Sequence, residues 1–184
     1  MSDAPMPAPA TGGPSAGLVY GDVPNRAIAY IIDVIVLAVI NIVVGIVLGA
    51  IGLSVVTIDG LESSFNYLAS VIVTLVSLGI SGAYFVYMWT TRRSTIGMGV
   101  LGLEIGTAPG GETISTDQAI RRWVALGVPF SIAQILNPLP LIGILIGLAA
   151  LGWVIYLLWT TAQSPTKQGW HDHFANTMVV KRVK

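Results

Sequence analysis

The residues most able to do chemistry in this sequence are a few charged side chains in very apolar surroundings. Asp33 lies within RAIAYIIDVIVLAVIN, residues 26–41, seven positions after Arg26. At about 1.5 Å per residue, its carboxyl group lies roughly 9 Å along a helix from Ala27. An ionised aspartate at the centre of a membrane helix costs about 2.5–3.5 kcal/mol on insertion scales. Asp33 therefore needs a basic partner, water or a proton.

Two interpretations of Asp33 compete at the level of sequence, and contacts with lipid headgroups or with other protein groups stay open as a third. One is a structural ion pair that ties the first helix to its neighbours, and the other is a group that handles protons or cations. Arg26 shares nearly the same helix face, because seven residues at about 100° each return to within about 20°. It is also roughly 10 Å away along the axis, which strains a direct bond. Arg121, Arg122 and His171 are therefore candidate partners.

A second charged motif is WHDH at residues 170–173, in which two histidines flank Asp172. A metal site needs more ligands than these, so we expect no metal and instead a cytoplasmic hydrogen-bonded anchor with Asp172 facing an arginine. The chain has no cysteine, which excludes disulfides, thiolate zinc sites and cysteine catalysis. It also lacks a nucleophile elbow, a phosphate-binding loop and a dinucleotide fingerprint. We therefore predict no enzymatic activity and no cofactor.

The composition places these residues in a membrane protein. The chain is 54% hydrophobic and 10% charged, with a mean hydropathy of +0.79, whereas soluble domains carry about 25% charged residues. A formal net charge of zero leaves no electrostatic footprint for nucleic-acid binding. The expected partners are the lipid bilayer, a second copy of the chain or other membrane proteins. Residues 1–25 are rich in Pro, Ala and Gly, which predicts a disordered tail.

Four apolar runs predict helices, at about 26–54, 67–90, 116–137 and 141–160. The third has only fourteen apolar residues, 123–136, which alone would suit a re-entrant or buried segment. STDQ at 115–118 matches a capping box, which would start this helix outside the apolar run and lengthen it. NPLP at 137–140 then ends it, because proline cannot continue a helix.

The basic residues set the orientation of these helices. They lie at positions 26, 92, 93, 121, 122, 167, 181, 182 and 184, and none lies at 54–66 or 137–140. If basic residues mark the cytoplasmic side, both termini lie inside and the number of crossings is even. Strand-like segments at about 100–105 and 177–183 would pair against the cytoplasmic helix ends. We therefore predict an all-α integral membrane protein, a four-helix transmembrane bundle with a small cytoplasmic β-strand cap.

Small and hydroxylated residues recur along three of the predicted helices. They are Ser70, Thr74, Ser77 and Ser81 on the second helix, Gly45 and Gly49 on the first, and Gly143 and Gly147 on the fourth. Such stripes let helices approach closely and form hydrogen bonds between them. We favour packing within the chain, while packing between chains and a water- or ion-lined path along the hydroxyl stripe stay open.

The sequence also contains an internal echo. GAYFVYMWTT at 82–91 and GWVIYLLWTT at 152–161 share Gly, Trp and two Thr at an offset of seventy, and each ends a predicted membrane helix. Two helix pairs of like orientation would form a parallel repeat about an axis normal to the membrane. The alternative is that tryptophan is simply common at membrane interfaces.

Together these residues resemble a known family. Arg26 at the start of helix one, Asp33 within it, STIGMGVLGLEI at 94–105 and QGWHDHFANTMVV at 168–180 resemble the RDD family of bacterial membrane proteins. The resemblance covers about residues 22–182. The family is named after one arginine and two aspartates, which Arg26, Asp33 and Asp172 match. It implies a multi-pass protein of the bacterial inner membrane, with cation/proton exchange suggested for certain members.

Two functions follow as expectations. The first is a structural or accessory membrane component of unknown specific function, because the Gly and Ser/Thr stripes suit packing and no catalytic constellation is present. The alternative is a small cation- or proton-coupled transporter, oligomeric because four helices alone make a thin pore, that uses Asp33 with Arg26 and Asp172. A protein that tethers a soluble enzyme to the membrane is a third reading.

Overall fold

The computed structural model describes residues 14–15, 17–136 and 140–183 of the chain. Within them, four long helices, two short helices and five short strands follow one another. The long helices are α1 (Val23–Ala50), α2 (Tyr67–Arg92), α4 (Thr116–Leu136) and α5 (Pro140–Gln163), and the short ones are α3 (Ile96–Val100) and α6 (Trp170–Ala175). The strands are β1 (Leu18–Tyr20), β2 (Val56–Asp59), β3 (Glu62–Phe65), β4 (Leu103–Thr107) and β5 (Thr177–Arg182). The expectation of a mostly helical protein is confirmed.

Two of the long helices, α2 and α4, begin where the local sequence provides acceptors for free N–H groups. The Asn66 side chain accepts a hydrogen bond from the Ala69 N–H at 3.0 Å and so caps α2. The predicted capping box of α4 is confirmed, because Ser115 Oγ accepts from the Gln118 N–H at 3.2 Å and Gln118 Oε1 accepts from the Ser115 N–H at 3.0 Å. These side chains satisfy groups that have no partner inside the helix.

Three helices have the length and hydropathy to cross a membrane among the residues that the structure describes. They are Val23–Ala50, Tyr67–Arg92 and Ile144–Gln163, with mean hydropathies of 3.0, 1.9 and 1.9. Helix α4 is not among them; it carries Asp117, Arg121 and Arg122 in its first two turns and Pro129 in its second half. Three membrane helices are thus supported by length and composition, and the fourth crossing stays a prediction.

A three-stranded antiparallel sheet packs at one end of the long helices, in the order β1-β5-β4. Leu103 pairs with Lys181, Ile105 with Val179 and Thr107 with Thr177. The inner face of the sheet is fully buried, as Ile105 shows with 0% exposure. The predicted pairing between the segment after helix two and the C-terminal segment is confirmed. We call β1, β4 and β5 together with α3 and α6 the cap.

The prediction that residues 1–25 form a disordered tail is wrong from Leu18 onward. Leu18–Tyr20 forms β1 and pairs with β5, the Gly21 N–H donates to the Val179 carbonyl at 2.9 Å, and α1 already begins at Val23. The edge of β5 offers backbone partners that composition cannot reveal, because the two segments lie far apart in sequence. Residues 1–13 and 16 lie outside the described residues.

The segment between the first two long helices, at 54–66, contains regular structure that its polar sequence did not indicate. Val56–Asp59 and Glu62–Phe65 form an exposed antiparallel hairpin. Gly60 stands in the two-residue turn with φ of 60°, a conformation that glycine adopts without steric cost. The hairpin joins the ends of α1 and α2 that lie away from the cap.

The element order repeats within the chain. Apart from β1 and the β2–β3 hairpin, the first half runs α1, α2, α3, β4, and the second runs α4, α5, α6, β5. Corresponding positions are separated by 74 residues: the N-caps Thr95 and Gly169, the left-handed residues Gly102 and Asn176, and the strand starts Leu103 and Thr177. Ile105 pairs with Val179, its own counterpart at this offset. This geometry supports the parallel repeat that the tryptophan echo indicates.

Candidate functional site

Asp33 is held by three donors from two neighbouring elements. Its side chain lies on α1 and the residue is only 2% exposed. Oδ1 accepts from the Tyr84 hydroxyl at 2.6 Å and from the Gly97 N–H at 2.8 Å, and Oδ2 accepts from Thr95 Oγ1 at 2.6 Å. These hydrogen bonds pair both oxygens of the buried carboxyl group and so offset the cost of removing it from water.

Two of these donors, both hydroxyl groups, also accept hydrogen bonds from backbone N–H groups of the short helix α3. The Tyr84 hydroxyl accepts from the Ile96 N–H at 3.1 Å, and Thr95 Oγ1 accepts from the Met98 N–H at 3.1 Å. The Gly97 N–H donates to Asp33 directly. Three N–H groups at the start of α3 are therefore connected to Asp33, one by a direct hydrogen bond and two through a hydroxyl group. Free N–H groups at a helix start carry partial positive charge. The acid in the first helix therefore serves as the acceptor for the first turn of α3.

This arrangement requires very close contact between α1 and α3. A Cβ atom added to Gly97 would lie 2.0 Å from the Ala29 carbonyl oxygen and 3.1 Å from Cγ of Asp33. Both Ala29 and Gly97 are buried. Only glycine at position 97 lets the N-terminus of α3 reach the carboxylate on α1.

The prediction that Arg121, Arg122 or His171 pairs with Asp33 is wrong. Arg121 forms an exposed pair with Asp117 within α4 at 2.9 Å, while Arg122 and His171 face Asp172 instead. Donors from α2 and from the start of α3 already fill the oxygens of Asp33, so that no basic side chain is needed there.

Asp172 is the centre of a separate charged cluster. It is fully buried at 0% exposure. Its Oδ2 accepts from Arg26 Nη1 at 2.8 Å and from the Gly169 N–H at 3.0 Å, which caps α6. Its Oδ1 accepts from Arg122 Nη1. The arginine contact expected for Asp172 is present and is made by two arginines, one from α1 and one from α4.

The two arginines extend this cluster into the sheet. Arg26 Nε donates to the Gly21 carbonyl at 3.0 Å and Nη2 to the Val179 carbonyl at 3.2 Å. Arg122 Nη1 also donates to Thr177 Oγ1 at 2.8 Å. The cluster therefore joins the starts of two long helices to β5 and to the chain before α1.

The charges in this cluster fix its protonation. Burial acts to raise the pKa of Asp172, but the charges of Arg122 and Arg26 outweigh it and hold that pKa well below its ordinary value of 3.8. Burial lowers the pKa of His171 from 6.5 to about 4, against the opposing effect of Asp172. At neutral pH, His171 is therefore neutral, and two arginine cations share one carboxylate.

A comparison with known families bears on this pair of sites. The sequence profile of the RDD family matches residues 20–176 of the 184-residue chain. The chain belongs to the RDD family. Comparisons with curated proteins and with solved structures give no match. In this RDD protein the arginine and two aspartates are divided between two sites. Asp33, on α1, binds the start of α3, and Arg26 binds Asp172 at the start of α6.

The hydroxyl stripe on α2 of this RDD protein faces its neighbours inside the chain. Ser81 Oγ accepts from the Trp123 indole N–H on α4 at 3.0 Å. Thr74, Ser77 and Ser81 line a cavity of about 420 Å³ that α1, α2 and α4 enclose in part. Ser70, nearer the start of α2, is half-buried. Ser81 thus provides a hydrogen bond between helices, which is one of the two uses expected of the stripe.

The prediction that the glycine stripes pack against other helices of the chain is wrong for the glycines that the structure describes. A Cβ atom added to Gly45 or Gly147 would meet nothing within 4 Å, and one added to Gly49 would meet only Ser54 Oγ at 3.6 Å. The buried residues of α1 are Ala29, Asp33 and Leu37, so that both of its stripe glycines lie beyond the buried part of the helix. Gly143 lies among residues whose surroundings the structure does not describe.

Sequence reasoning missed several residues of the two sites. Tyr84, Thr95 and Gly97 surround Asp33, and Thr177 binds Arg122. Thr95 carries a local signal, because it precedes a helix and its hydroxyl caps it. Tyr84 and Thr177 carry none, since only the tertiary structure brings them close. Among the described residues no group of three or more His, Asp or Glu could hold a metal ion.

Proposed function

We propose that this RDD protein crosses the bacterial inner membrane four times, with α1, α2, α4 and α5 as the spans and the cap in the cytoplasm. Arg26 at the start of α1, Trp89 near the end of α2, Arg122 at the start of α4 and Thr161 near the end of α5 all line one cavity beside the cap. Four helix ends on one side of the membrane require an even number of crossings. The basic residues near these ends support a cytoplasmic cap.

The outer faces of the helices suit contact with lipid. Ile35 and Ile46 on α1 are 58% and 68% exposed, and Leu145 on α5 is 66% exposed. Exposing such continuous apolar faces to water would cost about 25 cal/mol for each Å² of apolar surface. Acyl chains would cover them without that cost.

The function that this geometry supports best is that of a non-enzymatic accessory membrane component whose polar residues maintain structure. The observation that carries it is that both family aspartates are occupied by protein donors: Asp33 by three hydrogen bonds and Asp172 by two arginines and a backbone N–H. A carboxylate that carries ions has to exchange its partners for a cation or a proton. Releasing Asp33 would uncap α3, so that the described residues offer no support for the transporter alternative.

The partner that we propose is another membrane helix, from a second copy or from a different membrane protein. Gly45 on α1 and Gly147 on α5 are exposed and have open space beside them. Small residues on an exposed membrane helix allow another helix to approach closely.

Vesicles that contain the full chain and a pH-sensitive dye test the functional proposal. We expect pulses of Na⁺, K⁺ or Li⁺ to produce no protein-dependent pH change. Asp33→Asn and the matched exposed variant Asp117→Asn are measured in parallel. An exchange activity in the wild type that Asp117→Asn retains and a folded Asp33→Asn loses would overturn the proposal.

Cysteine labelling tests the orientation, since the chain has no cysteine of its own. Ser63→Cys in the hairpin and Leu139→Cys, in the segment outside the described residues, should react with an impermeant reagent from the outer side. Thr113→Cys, before α4, should react only after the membrane is opened. A reaction of Leu139→Cys from the inner side alone would refute the arrangement with four crossings.

A further inference from the structure

A cavity of about 270 Å³ lies between the long helices beside the cap. Most of its wall is apolar, and polar side chains lie where it meets the cap, among them Arg122, Trp89 and His171. Ile31 on α1 and Leu158 on α5 also line it and are both exposed, so that the cavity opens between these two helices. Its volume is close to the lower end of the range of about 300–1,000 Å³ found for small-molecule sites.

The polar end of this cavity contains hydrogen-bonding atoms without partners. Trp89 Nε1, Arg122 Nε and His171 Nδ1 are buried, and none has a hydrogen-bond partner among the described residues. The three residues are 3%, 6% and 8% exposed. Buried polar atoms are nearly always paired in folded proteins, and two of these three, Trp89 Nε1 and Arg122 Nε, can only donate, so this pair of unpaired donors indicates an absent acceptor.

Arg122 is the cation best placed to bind such an acceptor. Both of its side-chain hydrogen bonds leave from Nη1, toward Asp172 and Thr177, which leaves the Nε side of the guanidinium unpaired. Its Cζ atom lies 5.4 Å from the centre of the Trp89 ring. The unpaired N–H donors of Arg122 and Trp89 therefore belong to two side chains that lie next to each other. Asp33 also lines the cavity, but its oxygens already accept three hydrogen bonds and compete little for these donors.

The unpaired donors favour an oxyanion over water. A water molecule that accepts from both N–H groups could donate one O–H group to His171 Nδ1, but its second O–H group would face a wall that is mostly apolar. A phosphate or carboxylate oxygen needs no donor partner, and the planar edge of an arginine matches such groups geometrically.

The rest of the ligand has to be apolar. The cavity shares Tyr30, Phe85, Leu126, Phe130 and Val154 with the larger cavity of about 420 Å³ that extends along α1, α2 and α4 away from the cap. The two cavities therefore adjoin along these side chains, and together they reach from the cationic end toward the middle of the long helices. A hydrocarbon chain fits this shape and chemistry, while a free inorganic anion would leave most of this space empty.

We propose that this RDD protein binds an anionic membrane amphiphile, whose oxyanion headgroup accepts hydrogen bonds from Arg122 and Trp89 and whose hydrocarbon chain lies along the shared wall of the two cavities. The headgroup is either the phosphodiester of an anionic phospholipid or the carboxylate of a fatty acid, because both supply the same acceptor oxygens. This binding activity goes beyond the proposed accessory function and does not depend on the absence of transport.

Titration of the delipidated full chain in dodecyl maltoside tests the proposal, with native mass spectrometry to count bound ligands. The probes are oleate, dioleoylphosphatidylglycerol and dioleoylphosphatidylcholine. We expect saturable binding of one molecule of oleate or of phosphatidylglycerol, and at least tenfold weaker binding of the zwitterionic lipid. Whichever anionic probe binds more tightly identifies the source of the oxyanion.

Two variants test the site without breaking the Asp172 cluster. Trp89→Phe keeps a ring beside Arg122 but removes the N–H donor, and we expect about tenfold weaker binding, the effect of one hydrogen bond to a charged acceptor. Trp159→Phe, whose indole is exposed on α5, is the matched control and should bind like the wild type. Val154→Phe narrows both cavities and should also weaken binding.

Three outcomes would overturn the proposal. They are failure of both anionic probes to bind in a one-to-one ratio, equal affinity of all three lipids, and equal affinity of the Trp89→Phe and Trp159→Phe variants. Thermal melting of the unliganded variants shows whether each is folded. If Trp89→Phe does not fold, Val154→Phe against the wild type decides the result.

Discussion

Replacing Asp33 with asparagine keeps the shape of the side chain and removes its charge, so that it isolates the role of the carboxylate. Two of the three hydrogen bonds that Asp33 accepts would become neutral, at a loss of about 1 kcal/mol each. The third donor would face an amide NH₂ group that cannot accept from it, at a cost of about 1–3 kcal/mol. The neutral amide is easier to bury than a carboxylate, so we expect a net loss of about 3 kcal/mol in the free energy of unfolding.

Thermal unfolding of the purified protein in detergent measures this loss. For a chain of this size about 1 kcal/mol corresponds to roughly 2–4 °C, so that the Tm of Asp33→Asn should fall by about 6–12 °C. Asp117→Asn makes the same chemical change in an exposed pair on α4, where less than about 1 kcal/mol is at stake. Equal melting temperatures for the two variants would refute the assignment of Asp33 to the support of α3.

Other predictions concern titration, packing and hydrogen bonding. Burial lowers the pKa of His171 to about 4 from an unfolded value near 6.5, so the unfolded chain binds more protons between these values and the Tm should fall as the pH drops through this window. His171→Gln should flatten that slope in a pH series of melting curves, whereas His173→Gln, an exposed position, should not. Gly97→Ala should lower the Tm by more than 6 °C, because its Cβ would lie 2.0 Å from a carbonyl oxygen of α1, while Gly45→Ala meets open space and should change it little. Ser81→Ala should cost about 1 kcal/mol in chemical denaturation, because it leaves the α4 indole without its acceptor; an unchanged midpoint would contradict this role.

Local patterns in the sequence predict the main elements well. Apolar runs long enough to span a membrane give α1, α2 and α5, and the capping box at Ser115 fixes the start of α4. These features depend on neighbouring residues alone, and so they can be read along the chain. The short strand-like apolar segments after helix two and near the C-terminus also predict the two strands that pair, β4 and β5.

Partner choice within the charged sites could not be predicted in the same way. The sequence indicates that Asp33 needs compensation, but basic residues are the obvious candidates and none of them provides it. Its donors are Tyr84, Thr95 and the backbone of Gly97, groups that look ordinary until folding places α3 against α1. The outward direction of Gly45 and Gly147 was equally hidden, because a small residue suits contact within a chain and between chains alike.

The sequence by itself determines that this chain is a membrane protein of the RDD family with costly charges in apolar surroundings, since composition and motif residues carry that information locally. Only the tertiary structure decides how those charges are satisfied. Asp33 and Asp172 lie 139 positions apart, yet each accepts hydrogen bonds from the start of a short helix of the cap. Hydrogen bonds and ion pairs act over a few ångströms in space, and which groups come that close depends on how the helices and the sheet pack.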